Sequence, residues 1–218
     1  KELKDNVKAG DAFFFFYSGH GAVVNDPKDP TVALGFLIPY DATHDIPNSC
    51  LSVDYLKEVF DSLPSKVNVI FIDSCFSGMV AKNGKAYPVP NMKGYKTLKT
   101  FANTVVGNGS VVFTASKDNE MSLEDPEYKN GLFTHFVMEE LQKSRQNASY
   151  PVAEIFSPIA NGVVVRAKEK WHHDQTPTFT GKLEGDLTLP VFRKRLELKP
   201  EIIEIPKTPE LQKESFPV

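Results

Sequence analysis

Cysteine is nearly absent, with two residues, Cys50 and Cys75, in a chain of 218. Two are too few for a disulfide-stapled scaffold, and the 24 residues between them (75 − 50 − 1) match no zinc-ligand spacing. Reduced thiols and a cytoplasmic setting are the expectation, with no metal and no cofactor. Long apolar runs are missing too. No stretch approaches the roughly 18–20 residues of a membrane-spanning helix, and the opening KELKDNVKAGD lacks the apolar core of a secretory signal. Nor does one sign of charge dominate. With 25 Lys and Arg against 28 Asp and Glu, the formal net charge is −3, and the lysines are scattered among acids rather than gathered in a stripe. That leaves no electrostatic footprint for nucleic acid. No internal repeat is present. What is present is a 41% hydrophobic fraction over 218 residues, enough to bury a core in one domain.

Residues 11–17, DAFFFFY, form an unbroken aromatic run. A half-exposed strand alternates apolar with polar residues, so this run predicts a strand covered on both faces and ending at SGHG. Residues 21–50 read as a long loop with four prolines and one minor strand, ALGFLIP. Ser52 is placed as the N-cap of an amphipathic helix, VDYLKEVFDSL, which Pro64 closes. Val67–Ile72 is a second buried strand, ending at DSCFSG. Strand, helix, strand in that order predicts a parallel crossover. Residues 79–103 read as a lysine-containing surface loop, SVVFTAS as a third strand, and GLFTHFVMEELQ as a helix. PVAEIFSPIANGVVVRAKEKW reads as another helix, with Pro158 disturbing its first turns, and TPTFTGKLEGDLTLPVF as a final strand or hairpin. Residues 193–218 are rich in proline and charge and read as a tail.

In open parallel sheets, reactive groups collect beyond the carboxyl ends of the strands. His20 and Cys75 each fall three residues past a predicted strand, 55 positions apart (75 − 20) and amid small residues. If the two strands are neighbours, an imidazole and a thiol face one gap. A thiol is a weak nucleophile until ionised, and a nearby imidazole removes its proton and later protonates the leaving amine. The backbone amides of Gly21 and Cys75 are candidates for an oxyanion site. The plainer alternatives are that Cys75 is an inert core residue and SGHG only a turn. His44, His135, His172 and His173 have no such setting and read as surface or packing residues.

FFFFYSGHG followed by VNVIFIDSCFSG resembles the caspase-like cysteine peptidases of family C14, closest to the metacaspase and bacterial orthocaspase branch. SVVFTASKDNEMSLED, NGLFTHFVMEEL and QTPTFTG extend the resemblance over roughly residues 5–190. It implies an α/β fold, a three-layer α/β/α sandwich with a mostly parallel central sheet. Residues 1–192 would be the catalytic domain, with large-subunit and small-subunit halves near 1–80 and 105–192. It also implies hydrolysis of peptide bonds through a thioester, with His20 and Cys75 as the dyad and a protein or peptide as substrate. Ser18 and Asp73 would line an S1 pocket for Arg or Lys, a carboxylate being the natural partner of a guanidinium or ammonium. Ser116, in the TAS segment, would belong to a substrate loop. The alternative for Asp73 is a turn cap.

Two features depart from the pattern. Phe76 stands where metacaspases usually carry His, and the strand-helix-strand-helix unit that precedes SGHG in the family has no counterpart here. The expectation is a partner, an N-terminal fragment of the same precursor, that completes the sheet. The aspartate cluster through which many metacaspases take calcium is reduced to Asp41, so calcium is not carried over. Lys82, Lys85, Lys93, Lys96 and Lys99 are candidate self-processing points. Two rivals remain: a catalytically silent interaction scaffold, and an active peptidase that prefers an acidic P1.

Overall fold

Apolar strands bounded by amphipathic helices leave one economical arrangement, a sheet with a helical layer on each face. The computed structural model describes residues 2–26, 28–29, 33–65, 67–75, 79–82, 85–88, 109–117, 120–144, 151–181 and 187, with 2, 33, 75, 79–82, 85–88 and 144 described by their backbone. In chain order the elements are α1 (Glu2–Asn6), β1 (Ala12–Asn25), β2 (Ala33–Ile38), α2 (Ile46–Ser49), β3 (Leu51–Ser52), α3 (Val53–Asp61) and β4 (Val67–Cys75). There follow β5 (Met79–Lys82), β6 (Lys85–Pro88), β7 (Ser110–Thr114), β8 (Glu124–Asp125), β9 (Asn130–Gly131) and α4 (Leu132–Ser144). A 3-10 turn (Val152–Ile155) leads into α5 (Phe156–Trp171), and β10 (Thr178–Gly181) closes the described fold.

Six strands form the main sheet in the order β10-β7-β4-β1-β2-β3. Its centre, β7-β4-β1, is parallel, and β10, β2 and β3 add antiparallel strands at the two sides. The expected three-layer α/β/α sandwich is thus present, with a parallel core. On one face α3 brings Val53, Leu56 and Phe60 against Ile70, Ile72, Leu37 and Val112. The Ser52 hydroxyl caps this helix as expected, accepting from the Tyr55 N–H at 3.0 Å. On the other face α4 and α5 pack Phe133, Val137, Ile159 and Val163 over Val69, Phe71, Val111 and Phe113. Each of these fully buried side chains contributes about 1.5–3 kcal/mol of hydrophobic stabilisation.

The sheet departs from the sequence expectation in two places. First, β1 does not stop at SGHG but runs through it to Asn25, because β4 pairs with it as far as His20 and β2 pairs from His20 onward. Ladder hydrogen bonds on both sides outweigh the turn preference of Gly-His-Gly. Second, along residues 13–17 the described residues cover β1 on one face only. Phe13, Phe15 and Tyr17 pack toward α3, whereas Phe14 and Phe16 are 41% and 49% exposed, since α4 and α5 lie over β4 and β7. Along residues 12–19, among the described residues, no strand pairs with the edge of β1 opposite β4. Residues 79–82 and 85–88, read as loop, pair as a small antiparallel hairpin. No described helix is long and apolar enough to cross a membrane.

The turn joining β8 to β9 is fastened to α5 by charge. Asp125, 1% exposed, accepts from Arg166 Nε at 3.0 Å and Lys170 Nζ at 2.8 Å, and both cations also bind Glu127. Burial pushes the Asp125 carboxyl up, but Lys170, the Glu127 N–H and Arg166 together hold it below its usual range. A carboxyl lowered on folding contributes stability that is complete above its unfolded value near 4 and is lost as pH falls through its folded value. Asp125→Asn is therefore expected to be less stable than the parent at pH 7, with the two stabilities converging as pH is lowered from about 5 toward 2. Urea unfolding across that range checks this, and parallel curves would contradict it.

Candidate active site

The register of β1 on β4 runs from Ala12 opposite Val67 to His20 opposite Cys75. Residues paired across a parallel ladder share a face, with strands about 4.8 Å apart. His20 and Cys75 are therefore neighbours at the last rung, and Ser18 opposite Asp73 is one face-repeat below them. Both dyad candidates lie inside strands rather than beyond their ends, which corrects the sequence expectation. His20 is exposed, as is Ser18. Gly21 continues β1 and pairs with Leu37.

Asp73 sits differently from its neighbour Ser18. It is 4% exposed, and its carboxylate is engaged by three donors. Ser122 Oγ donates to Oδ1 at 2.6 Å; the Thr134 N–H donates to Oδ2 at 3.1 Å, and the Thr134 hydroxyl to the same oxygen. Thr134 lies in the first turn of α4, where unpaired N–H groups and the helix dipole favour an anion. Asp73 thus caps a helix, although not the turn that follows it in sequence. The arrangement depends on Gly131, just before α4: a Cβ built there would lie 2.2 Å from Asp73 Oδ2.

A second tier of polar residues supports this seat. Gln175, 1% exposed, donates to the Ala115 carbonyl at 3.1 Å and to Ser122 Oγ at 3.4 Å, and accepts from the Leu123 N–H at 3.0 Å. Glu120 accepts from the Thr176 N–H and hydroxyl. Ser116 is 8% exposed, and its hydroxyl donates to the Glu120 carbonyl at 3.1 Å, so it serves this internal frame. Ser122, Thr134, Gln175 and Glu120 were not singled out from sequence. The available signal was a Thr in the first turn of an otherwise apolar helix start and a Gln-Thr-Pro ahead of a strand.

The other histidines are not on the β1-β4 ladder. His135 stacks on Tyr128 with ring centroids 3.6 Å apart, His172 ends α5 in the left-handed conformation at φ 51°, and His44 is exposed. Among the described residues no group of three or more His, Cys, Asp or Glu is arranged to hold a metal ion. Lys82 and Lys85 lie in the β5-β6 hairpin, whereas Lys93, Lys96, Lys99 and the tail from 193 fall outside the described residues.

The sandwich thus carries His20 and Cys75 opposite each other in the register of two adjacent parallel strands. The caspase-domain family matches residues 1–188, and the chain belongs to that family of cysteine peptidases. Among solved structures it is similar to the crystal structure of caspase-1 from Spodoptera frugiperda, at 12% identity and a TM-score of 0.42, over 80% of this chain and 60% of that one. The chain therefore spans about three fifths of that caspase. No curated protein matches it.

Substituting Gly131→Ala forces the Asp73 carboxylate off Thr134 and is expected to cost about 1–3 kcal/mol. Gly10→Ala, where a Cβ meets nothing within 4 Å, is the control and is expected to change stability by less than about 0.5 kcal/mol. Equal effects in urea denaturation would mean that the close approach at Gly131 carries no energy.

Proposed function

We propose that the domain is a cysteine endopeptidase of the metacaspase-like branch that cuts after Arg or Lys, with His20 and Cys75 as its dyad. The observation that carries the reading is the rung that sets His20 opposite Cys75. In the proposed cycle His20 takes the Cys75 proton, and the thiolate attacks the scissile carbonyl carbon. The oxyanion rests on the amides of Gly21 and Cys75. Collapse of the tetrahedral adduct breaks the C–N bond, and His20 returns the proton to the departing amine, leaving a thioester. His20 then activates a water, which hydrolyses the thioester to a carboxylic acid and restores the thiol.

A basic P1 is supported by the Ser18–Asp73 rung directly below. Ser18 supplies an exposed hydroxyl, and Asp73 a negative charge behind it. Among the described residues three donors engage the carboxylate, two on Oδ2 and one on Oδ1. Asp73→Asn keeps an oxygen for Thr134 and removes the charge. It is expected to stay folded and lose its preference for Arg and Lys over Asp in fluorogenic peptides.

The same specificity makes Lys82, Lys85, Lys93, Lys96 and Lys99 self-processing points. Mass spectrometry of the purified protein beside Cys75→Ala tests activity, specificity and self-processing together. The expected result is cuts after Lys or Arg in the parent only, with peptide turnover in the variant reduced on the order of 10³-fold or more. Identical fragments in both proteins, or faster turnover of the Asp peptide, would overturn the reading.

The partner we propose is a strand-bearing segment of the same precursor, laid along the edge of β1 at residues 12–19 and covering Phe14 and Phe16. Among the described residues that edge has no ladder partner, and two exposed aromatics stand beside it, the surface such a strand fits. When the protein is purified from its native source, a peptide encoded upstream in the same reading frame is expected to accompany it. Recovery of the chain alone as a stable monomer would refute this.

A further inference from the structure

The aim of the His20 imidazole depends on the backbone that carries it, at the last rung shared with β4. Tyr17 acts on that backbone from the opposite face of the sheet. Its ring packs with the α3-side core, and its Oη lies 2.7 Å from the His20 carbonyl and 2.8 Å from the Ile38 carbonyl. His20 and Ile38 are the first pair of the β1-β2 ladder, at the fork where β2 leaves β1. Two carbonyl oxygens thus converge on one hydroxyl, whose proton lies between acceptors that would otherwise face each other.

Gly19 makes the approach possible. A Cβ at residue 19 would sit 2.7 Å from Tyr17 Oη and 3.0 Å from Cζ, so any other residue displaces the phenol. The hydroxyl also keeps its proton. Burial raises the Tyr17 pKa above its ordinary value. It remains a donor throughout the neutral range.

We propose that Tyr17 is a positioning residue for His20: its phenol clamps the His20 and Ile38 carbonyls across the β1-β2 fork and so holds the imidazole in line with residue 75. Gly19 is its necessary companion. The kinetic part of the test rests on the peptidase reading, and the spectroscopic part does not.

Tyr17→Phe keeps the ring and removes only the donor. In the parent, ring-labelled histidine gives a His20 signal assigned by its disappearance in His20→Asn. In Tyr17→Phe that signal is expected to shift or split, while those of His135 and His173 stay in place. On a cleavable peptide, kcat is expected to fall about 10- to 100-fold with KM unchanged, as for a displaced catalytic group. Gly19→Ala, which pushes the phenol away while leaving it in the chain, is expected to reproduce both effects. An unmoved His20 signal in Tyr17→Phe overturns the proposal whether or not the parent is active. So does a uniform shift of all the histidine signals, which would mark a general loss of structure. A parent without peptidase activity whose His20 signal still responds to Tyr17→Phe would refute the dyad's function and leave the clamp standing.

Discussion

The register between β1 and β4 is the constraint on which the site depends. Side chains alternate between faces with a period of two, so a slip of one residue would put His20 on the α3 side and Cys75 on the other. The aromatic run does little to prevent that slip, because residues 13–16 are all Phe and any one replaces its neighbour. Polar contacts tie the two strands to each other and to their neighbours. At the start, the Ser65 hydroxyl donates to the Asp11 carbonyl at 2.7 Å, tying the entry of β1 to the entry of β4. In mid-sheet, Asn68 is 1% exposed and donates to Ser110 of β7 at 3.0 Å. At the far end stand the Tyr17 phenol and the seat of Asp73. Of these, the Ser65–Asp11 bond joins the entries of β1 and β4 directly, while the others tie β4 to β7, β1 to β2, and β4 to α4.

Much of this was legible locally. The Ser52 cap, the apolar spacing of α3, the two strands and their parallel relation all follow from patterns within a dozen residues, and the fold class follows from their order. The positions of His20 and Cys75 were legible because each interrupts an apolar strand with small and reactive residues. Other features were hidden for a common reason, that they depend on partners distant in sequence. Nothing in SGHG reveals that β2 will extend the strand through it. Nothing in FFFFY reveals that Phe14 and Phe16 lie beyond the reach of α4 and α5. The partners of Asp73 are 49 and 61 residues away, so its burial has no local signature.

The segment between β7 and α4 is held by two unlike devices. Toward the sheet it is bound through the buried Asp73 and Gln175, whose hydrogen bonds replace those lost to water, and through the partly buried Glu120. Toward α5 it is bound through Asp125, Glu127, Arg166 and Lys170, with the Arg166 guanidinium also 5.0 Å from the centre of the Tyr128 ring. The first device works through geometry and is insensitive to salt. The second works through charge, and its more exposed members are subject to ionic screening. The segment that borders the candidate site is therefore stiff on its inner side and tunable on its outer side.

Asp73 and Gly131 occupy one small volume, although 58 positions separate them (131 − 73). In hereditary terms they behave as a single locus. A methyl group at 131 is admissible only beside a smaller residue at 73, and a longer side chain at 73 is admissible nowhere, since the helix end has already taken the space. Substitution at either position is therefore conditional on the other, although one lies on a strand and the other at the entry to a helix.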